Sequence, residues 1–268
     1  MIPKSLSEAI CRKEANTLLD SFMVAVPDEI DLETMAWKRG RLRIEQGQLD
    51  TAEGRLVASE TGGVIRVKDS IKNETRKRFI IAHEIGHYLL HKCRMINDTL
   101  KDLSTWQQGN KETEANIFAG ELLMPGRLLE PRIRGLEPSL KGIDVLADEF
   151  KTSRLATAVQ FITYTKEPCA FIVTIGQKMA WMRKSASFEF YIPLRAPHPY
   201  SAAGEILTGK NGNTNGMVSV PAGAWLEGFD PGGRDSICED ARSLSNYQIV
   251  MSLLWIRDEL QCGAGDSK

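Results

Sequence analysis

Residues 83–87 read His-Glu-Ile-Gly-His and carry two of the four histidines in a chain of 268 residues. In a helix, residues four apart lie about one turn apart on the same face, so the imidazoles of His83 and His87 can bind one metal ion. Glu84 lies beside them, where its carboxylate can accept a proton from a water molecule at the metal. This H-E-x-x-H spacing predicts a helix that carries a zinc hydrolase site.

The sequence on both sides of the motif predicts a central, largely buried helix from about Glu74 to Lys92. Unpaired polar groups buried on such a helix would cost about 1–3 kcal/mol each, and a bound metal removes that cost. The competing interpretation, a surface helix that carries two histidines by chance, does not explain the apolar flanks: Phe79, Ile80, Ile81, Ala82, Ile85, Tyr88, Leu89 and Leu90.

A third protein ligand is expected, because a catalytic zinc ion usually takes three and leaves one position open for water. His91 lies about 12 Å from His83 along the helix axis, which places it outside the ligand set. A second helix is predicted over residues 111–125, ended by proline and glycine. Glu114 borders its apolar stripe and is the better candidate, but periodicity alone does not separate it from two alternatives, Glu112 and Glu121.

Two blocks of sequence resemble the IrrE/ImmA family of zinc metallopeptidases. The first is RFIIAHEIGHYLLH at residues 78–91, and the second is EANIFAGELLMP at residues 114–125. In that family the glutamate before the Ala-Asn pair is the third metal ligand, so the resemblance implies Glu114 in that role. It also implies zinc as the cofactor, with manganese as an alternative activating metal, and it extends over roughly residues 5–165.

The resemblance implies a zinc metalloendopeptidase of the gluzincin type (EC 3.4.24), with Glu84 as the catalytic base and His83, His87 and Glu114 as metal ligands. The implied substrate is a helix-turn-helix repressor of the Cro/cI (XRE) type, cleaved to switch on stress-response or mobile-element genes. The alternative is a non-catalytic partner of a repressor or antitoxin with a mainly structural metal. Such sites are usually closed by a fourth protein ligand, and no Cys or His lies at suitable spacing.

Composition excludes several other classes of protein. The chain is 42% hydrophobic and 26% charged with a formal net charge of −1, so it is not a nucleic-acid-binding polycation. Its five cysteines are odd in number and form no C-x-x-C pair, which suits reduced thiols. Neither a signal peptide nor an apolar segment of about 18 residues is found. We therefore expect a cytoplasmic protein that does not bind membranes.

The predicted fold class is α+β. A mainly helical zincin-like metallopeptidase domain is expected over residues 1–138, with helices at 5–26 and 31–40. Strands near 41–46, 54–59 and 63–68 would form a small three-stranded sheet beside it. That sheet could be purely structural or could hold an extended substrate by strand addition.

Two further segments complete the predicted organisation. Residues 139–167 have helix-turn-helix spacing with Ser153 as an N-cap, but three acidic and two basic residues in 144–161 argue against direct DNA binding. Residues 168–268 are expected to form a smaller α+β domain, with strands at 170–175, 179–183 and 188–192 and a closing helix over 241–260. Some IrrE-type proteins carry a GAF-like sensor domain in this place, which implies a sensory role.

Overall fold

The computed structural model describes residues 4–59, 61–91, 111–210, 212–230, 232, 234–244 and 249–257. Among these residues it contains eight α-helices, a three-stranded sheet and a five-stranded sheet, which confirms the predicted α+β class. The chain forms two compact units. The first unit consists of Met1–Leu129 and Ala147–Thr157, and the second of Glu130–Leu146 and Ala158–Lys268. Within the described part of the chain, no helix has the length and apolar character needed to cross a membrane.

The helices of the first unit begin and end close to where the sequence predicts. Asp31 caps the second helix by accepting a hydrogen bond from the Thr34 amide at 3.1 Å, and the helix ends at Gly40, where the next residue, Arg41, has a φ of 47°. The first helix is shorter than predicted, because the chain turns after Ser21 and reaches a positive φ at Met23. The four helices are α1 (Lys4–Ser21), α2 (Leu32–Gly40), α3 (Glu74–His91) and α4 (Lys111–Leu123).

The three predicted strands form one small sheet that supports α3. The strands are β1 (Leu42–Gly47), β2 (Gly54–Ser59) and β3 (Gly62–Lys68), in the order β1-β3-β2. β3 lies in the middle, parallel to β1 and antiparallel to β2, and its Ile65 and Val67 are buried. β2 is therefore an edge strand, and both β2 and β3 contact α3.

Helices α3 and α4 approach each other closely because a glycine faces an aromatic ring. A Cβ atom added at Gly86 would lie 2.9 Å from Cδ1 of Phe118 and 3.3 Å from Cα of Ala115. Both Phe118 and Ala115 are completely buried. The predicted buried helix is confirmed, and its close contact with α4 brings the polar side chains of the two helices together.

Three helices follow, α5 (Gly126–Ile133), α6 (Leu140–Phe150) and α7 (Arg154–Tyr164), and each contributes residues to both units. The last two match the predicted helix-turn-helix spacing, and the Ala156 amide donates to Oγ of Ser153, the predicted N-cap, at 3.2 Å. The turn between them contains Lys151 with φ of 53°. The predicted segment 139–167 is thus divided between the two units.

The second unit is built on an antiparallel sheet in the order β5-β4-β8-β7-β6. The short helix α8 (Ala202–Leu207) packs against β7 and β8. The sheet's core includes Ile172, Trp225 and Leu254, all buried. The strands are β4 (Cys169–Ile175), β5 (Lys178–Lys184), β6 (Val218–Pro221), β7 (Ser236–Leu244) and β8 (Ile249–Trp255).

Two predictions for this unit are wrong. In the described part of residues 241–260, the predicted closing helix is replaced by the end of β7 and by β8, in which every residue from Val250 to Trp255 is buried. A strand buried on both faces gives a continuous apolar run, which periodicity alone does not distinguish from a buried helix. The strand over 188–192 does not form either. Phe188 and Ile192 are buried in the core, but the segment joins no ladder among the described residues.

Candidate metal centre

Three buried side chains from α3 and α4 direct their ligand atoms at one point. The Nε2 atoms of His83 and His87 lie 2.9 Å apart. Glu112, in the first turn of α4, places Oε2 3.1 Å from Nε2 of His83 and Oε1 2.9 Å from Nε2 of His87. Ligand atoms about 2.0–2.2 Å from a tetrahedral zinc ion lie about 3.3–3.5 Å from one another, so these three are close to ligand spacing.

The contacts of the Nδ1 atoms of His83 and His87 indicate that this group fits a metal ion. Nδ1 of His83 lies 3.0 Å from Oδ1 of Asn116, an acceptor, so this nitrogen can carry the ring proton and leave the lone pair of Nε2 for a metal ion. Nδ1 of His87 contacts Nδ1 of His91 at 3.1 Å. Nε2 lone pairs and a carboxylate in one buried place require a cation or a proton between them, and two histidines with one glutamate are a known zinc ligand set.

The protonation states of the metal-free group also suit metal binding. Burial raises the pKa of Glu112, but hydrogen bonds from His83 and His87 outweigh burial and hold this pKa well below its usual range. Burial lowers the pKa of His87, although its hydrogen bond to Glu112 opposes the shift. An ionised carboxylate and a neutral imidazole are the forms that bind metals.

The group that can hold a metal contains Glu112 and not Glu114, the residue that the family resemblance implies. Oε2 of Glu114 lies 2.9 Å from Nε2 of His91, and Oε1 accepts a hydrogen bond from Oγ of Ser7 at 2.6 Å. The physical reason is rotation: residues two apart on a helix differ by about 200°, so Glu112 and Glu114 point to nearly opposite sides of α4. As predicted, His91 does not join the group.

A signal for Glu112 was present in the sequence. Glu112 precedes Ala115 by three residues and Ala119 by seven, so the three share one face of α4. Both alanines are completely buried, and small side chains mark the face where α4 meets Gly86 of α3. Glu121, the other alternative, has a different role: it accepts hydrogen bonds from Arg12, Asn16 and the amide of Gly126.

Glu84 is buried and its carboxylate lies against the beginning of β2. A Cβ atom added at Gly54 would lie 2.8 Å from Oε1 of Glu84, so the glycine leaves the space that the carboxylate fills. One residue of helix turns the chain by about 100°, which directs Glu84 to the side of α3 next to that of His83. The candidate catalytic carboxylate thus lies against the edge strand β2, on the side of α3 next to that of His83.

Comparisons with known proteins agree with the two sequence blocks. Residues 40–161 match the family model Peptidase_M78, described as the IrrE N-terminal-like domain. Metallopeptidase ImmA of Bacillus subtilis is 36% identical over 67 residues, which cover 24% of this chain and 39% of that protein. Radiation response metalloprotease IrrE of Deinococcus deserti is 30% identical over 115 residues, which cover 41% of this chain and 40% of that protein. The chain therefore spans about two fifths of the length of these relatives.

A solved structure resembles a larger part of the molecule. It is described as a Mycobacterium tuberculosis transcriptional regulator, and the match covers 92% of this chain and 76% of that one with a TM-score of 0.58. The two sequences are 16% identical, so this likeness concerns the fold alone.

Proposed function

We propose that this chain, whose residues 40–161 match the IrrE N-terminal-like domain, is a zinc-dependent endopeptidase of the IrrE/ImmA type that cleaves one kind of protein substrate. The observation that carries the proposal is the convergence of His83, His87 and Glu112 on one point, with the buried Glu84 next to His83 on the same helix. The same three residues are the proposed metal ligands, and Glu84 is the proposed catalytic base.

In the proposed hydrolysis of a peptide bond, the metal ligands and Glu84 have different roles. A zinc ion bound there would act as a Lewis acid and lower the pKa of a water molecule to about 7. Glu84 accepts the proton of the attacking water and passes it to the leaving amine of the substrate. His83, His87 and Glu112 supply two nitrogens and one oxygen, a donor set that suits zinc, with manganese as the second choice.

The number of ligands favours a catalytic over a structural metal. In the part of the chain that the structure describes, the metal-binding group has three members, whereas structural zinc sites are usually closed by four protein ligands. A fourth position would thus be open to water or to the carbonyl of a substrate. The alternative, a binding partner of a repressor or antitoxin with a structural metal, has no corresponding feature in its favour.

The edge of the small sheet offers a way for an extended substrate to reach the site. β2 is an edge strand, and its first residue, Gly54, contacts Glu84. A substrate segment paired with the free side of β2 would pass the catalytic carboxylate. The family resemblance supports a Cro/cI-type helix-turn-helix repressor as the substrate, cleaved in the cytoplasm, with a sensory role for the C-terminal region.

Cleavage assays with a matched pair of variants test the proposed function. The protein is loaded with zinc or manganese and incubated with Cro/cI-type repressors encoded beside its gene. Glu84→Gln removes the base and should slow cleavage by about 10²–10⁴-fold while metal binding persists. Glu74→Gln, at an exposed position of the same helix, should cleave at the wild-type rate.

Two results would overturn the proposal. Cleavage by Glu84→Gln at the wild-type rate would exclude the assigned base. Tight binding of a repressor that neither the wild type nor the variant cleaves would favour the non-catalytic binding partner instead.

A further inference from the structure

A chain of hydrogen bonds leads from the metal-binding group to the first helix of the protein. Nδ1 of His87 lies 3.1 Å from Nδ1 of His91. Nε2 of His91 lies 2.9 Å from Oε2 of Glu114, and Oγ of Ser7 donates to Oε1 of the same carboxylate at 2.6 Å. The four residues come from α3, α4 and α1, and none except His87 belongs to the metal-binding group.

When the imidazoles of His87 and His91 are both neutral, each of these hydrogen bonds has one possible direction. A carboxylate only accepts, so Nε2 of His91 carries a proton and donates it to Glu114. A neutral imidazole has one N–H, which leaves Nδ1 of His91 as an acceptor. The partner of that acceptor, Nδ1 of His87, must then carry the proton of its own ring. The lone pair of His87 is left on Nε2, the atom that faces His83 and Glu112.

We propose that Glu114, acting through His91, holds His87 in the tautomer and orientation that bind the metal, and that Ser7 fixes Glu114 for this purpose. The inference rests on the metal-ligand role of His87 in the proposed function. These are positioning residues rather than ligands. Without the acceptor on Glu114, His91 can move its proton to Nδ1, and His87 would then have to present an N–H to the metal.

Hydrogen bonds to α4 hold helix α1 in the position from which Ser7 contacts Glu114. Arg12 and Asn16 of α1 both donate to the carboxylate of Glu121, at 3.0 and 2.9 Å, and the Glu121 side chain is almost completely buried. These contacts fix α1 along α4 and keep Ser7 next to Glu114. Ser7 lies outside residues 40–161, the part that matches the family model, so the metal centre depends on a helix beyond that part.

Zinc affinity tests the proposal without any substrate. We would measure the dissociation constant of zinc by competition with a chromophoric chelator, and record the absorption spectrum of the cobalt-loaded protein. Glu114→Leu and His91→Phe should each weaken zinc binding by about 10–100-fold, as loss of an outer partner of a ligand does. Because Glu114 and His91 act through the same chain of hydrogen bonds, the double variant should lose about as much zinc affinity as the more affected single variant.

Conservative variants separate positioning from ligation. In Glu114→Gln the amide oxygen still accepts from His91 and the amide nitrogen can donate to Ser7, so zinc affinity should stay within about threefold of wild type. Ser7→Ala should weaken zinc binding by less than Glu114→Leu does. If Glu114→Leu does not fold, Ser7→Ala tests the proposal in its place. Glu74→Gln is the control: it alters an exposed carboxylate at the start of α3, outside this chain of hydrogen bonds, and should leave zinc affinity unchanged.

The possible results are distinct. Wild-type zinc affinity in both Glu114→Leu and Ser7→Ala would overturn the proposal. It would also be overturned if Glu114→Gln lost as much zinc affinity as Glu112→Gln, because Glu114 would then be a ligand. The expected affinities without any cleavage of repressors would contradict only the proposed endopeptidase function. Normal cleavage with unchanged affinities would contradict only the positioning role.

Discussion

The two units of this protein each contain a buried glutamate, and the two carboxylates have opposite kinds of neighbour. Glu239 of β7 is completely buried and accepts hydrogen bonds from the amides of Ala202 and Ala203 and from the indole of Trp225. Glu112 of α4 instead faces the Nε2 atoms of two histidines. N–H groups that surround a carboxylate satisfy it within the fold, whereas imidazole nitrogens can exchange their proton for a metal ion, so the carboxylate they face can share a cation with them.

The positions of the two glutamates support this distinction. The partners of Glu239 include the first amides of helix α8, so its carboxylate satisfies N–H groups that the helix itself cannot pair. The partners of Glu112 each have a second ring nitrogen that is already bound, to Asn116 or to His91. The same residue type is thus a structural cap in one unit and the proposed metal ligand in the other. Replacing both glutamates by glutamine compares them directly.

Glu112→Gln should have the largest effect. An amide is a poor zinc ligand compared with a carboxylate, so zinc affinity should fall by more than about 100-fold, beyond the usual cost of losing an outer partner. The metal-free protein should fold normally, because glutamine can still hydrogen-bond the histidines. Chelator competition measures the affinity and circular dichroism the fold. Unchanged zinc binding would remove Glu112 from the ligand set and return Glu114 to consideration.

Glu239→Gln should lower the stability of the fold and leave zinc affinity unchanged, the opposite of Glu112→Gln. The amide nitrogen of glutamine would face N–H donors, and a buried donor without an acceptor costs about 1–3 kcal/mol in the free energy of unfolding. Urea denaturation measures that loss, and zinc affinity should not change. Glu227→Gln, at an exposed position of the same unit, should stay within about 0.5 kcal/mol of wild type. Equal stability of the two variants would show that the hydrogen bonds of Glu239 contribute nothing measurable.

The sequence predicted the parts of the molecule that depend on local spacing. The two histidines of the motif, the helix that carries them and the three strands beside it follow from helical and strand periodicity. The choice between Glu112 and Glu114 as the proposed third ligand did not follow, because both lie in the first turn of α4. Which of them faces α3 depends on how α4 is rotated against it, and the contact of Gly86 with Phe118 sets that rotation.

The second unit was harder to predict for a related reason. β8 pairs with β4 on one side and β7 on the other, and it is buried from Val250 to Trp255. Its apolar run therefore lacks the alternation that identifies a half-buried strand. Glu239, in the neighbouring strand, had no signal at all, because its partners Ala202 and Trp225 lie 37 and 14 residues away. Contacts between distant parts of the chain decide both features.

Gly86→Ala should affect only the first unit. The added Cβ would lie 2.9 Å from Phe118, and overpacking of this kind typically costs about 1–3 kcal/mol. A gain of about 1 kcal/mol in helix propensity partly offsets that cost, which leaves a loss of about 1 kcal/mol. Zinc affinity should fall as α4 moves Glu112 away from the histidines. Gly142→Ala in α6 meets only Oγ of Ser139 at 3.2 Å and is the control. An unchanged affinity would mean that the site tolerates movement of α4.

Acidification of the metal-free protein should have the smallest effect, with opposite sign in the two units. The pKa of Glu112 is lowered in the fold, so its stabilising contribution is present above the pKa of the unfolded chain and is lost as pH falls through the folded value. The pKa of His87 is also lowered by burial. The unfolded chain therefore takes up a proton near pH 6.5 that folded His87 does not, and stability falls below that pH.

Glu239 behaves in the opposite way, because burial raises its pKa despite its hydrogen bonds to Trp225 and to the amides of Ala203 and Ala202. Its contribution is present below the pKa of the unfolded chain and is lost as pH rises through the folded value. Hydrogen exchange, corrected for the intrinsic effect of pH, can follow both units between pH 7 and pH 5.5. Peptides of α3 and α4 should lose protection while peptides of β7 do not. Equal losses in both units would mean that general acid destabilisation, and not the histidine–glutamate group, controls the first unit.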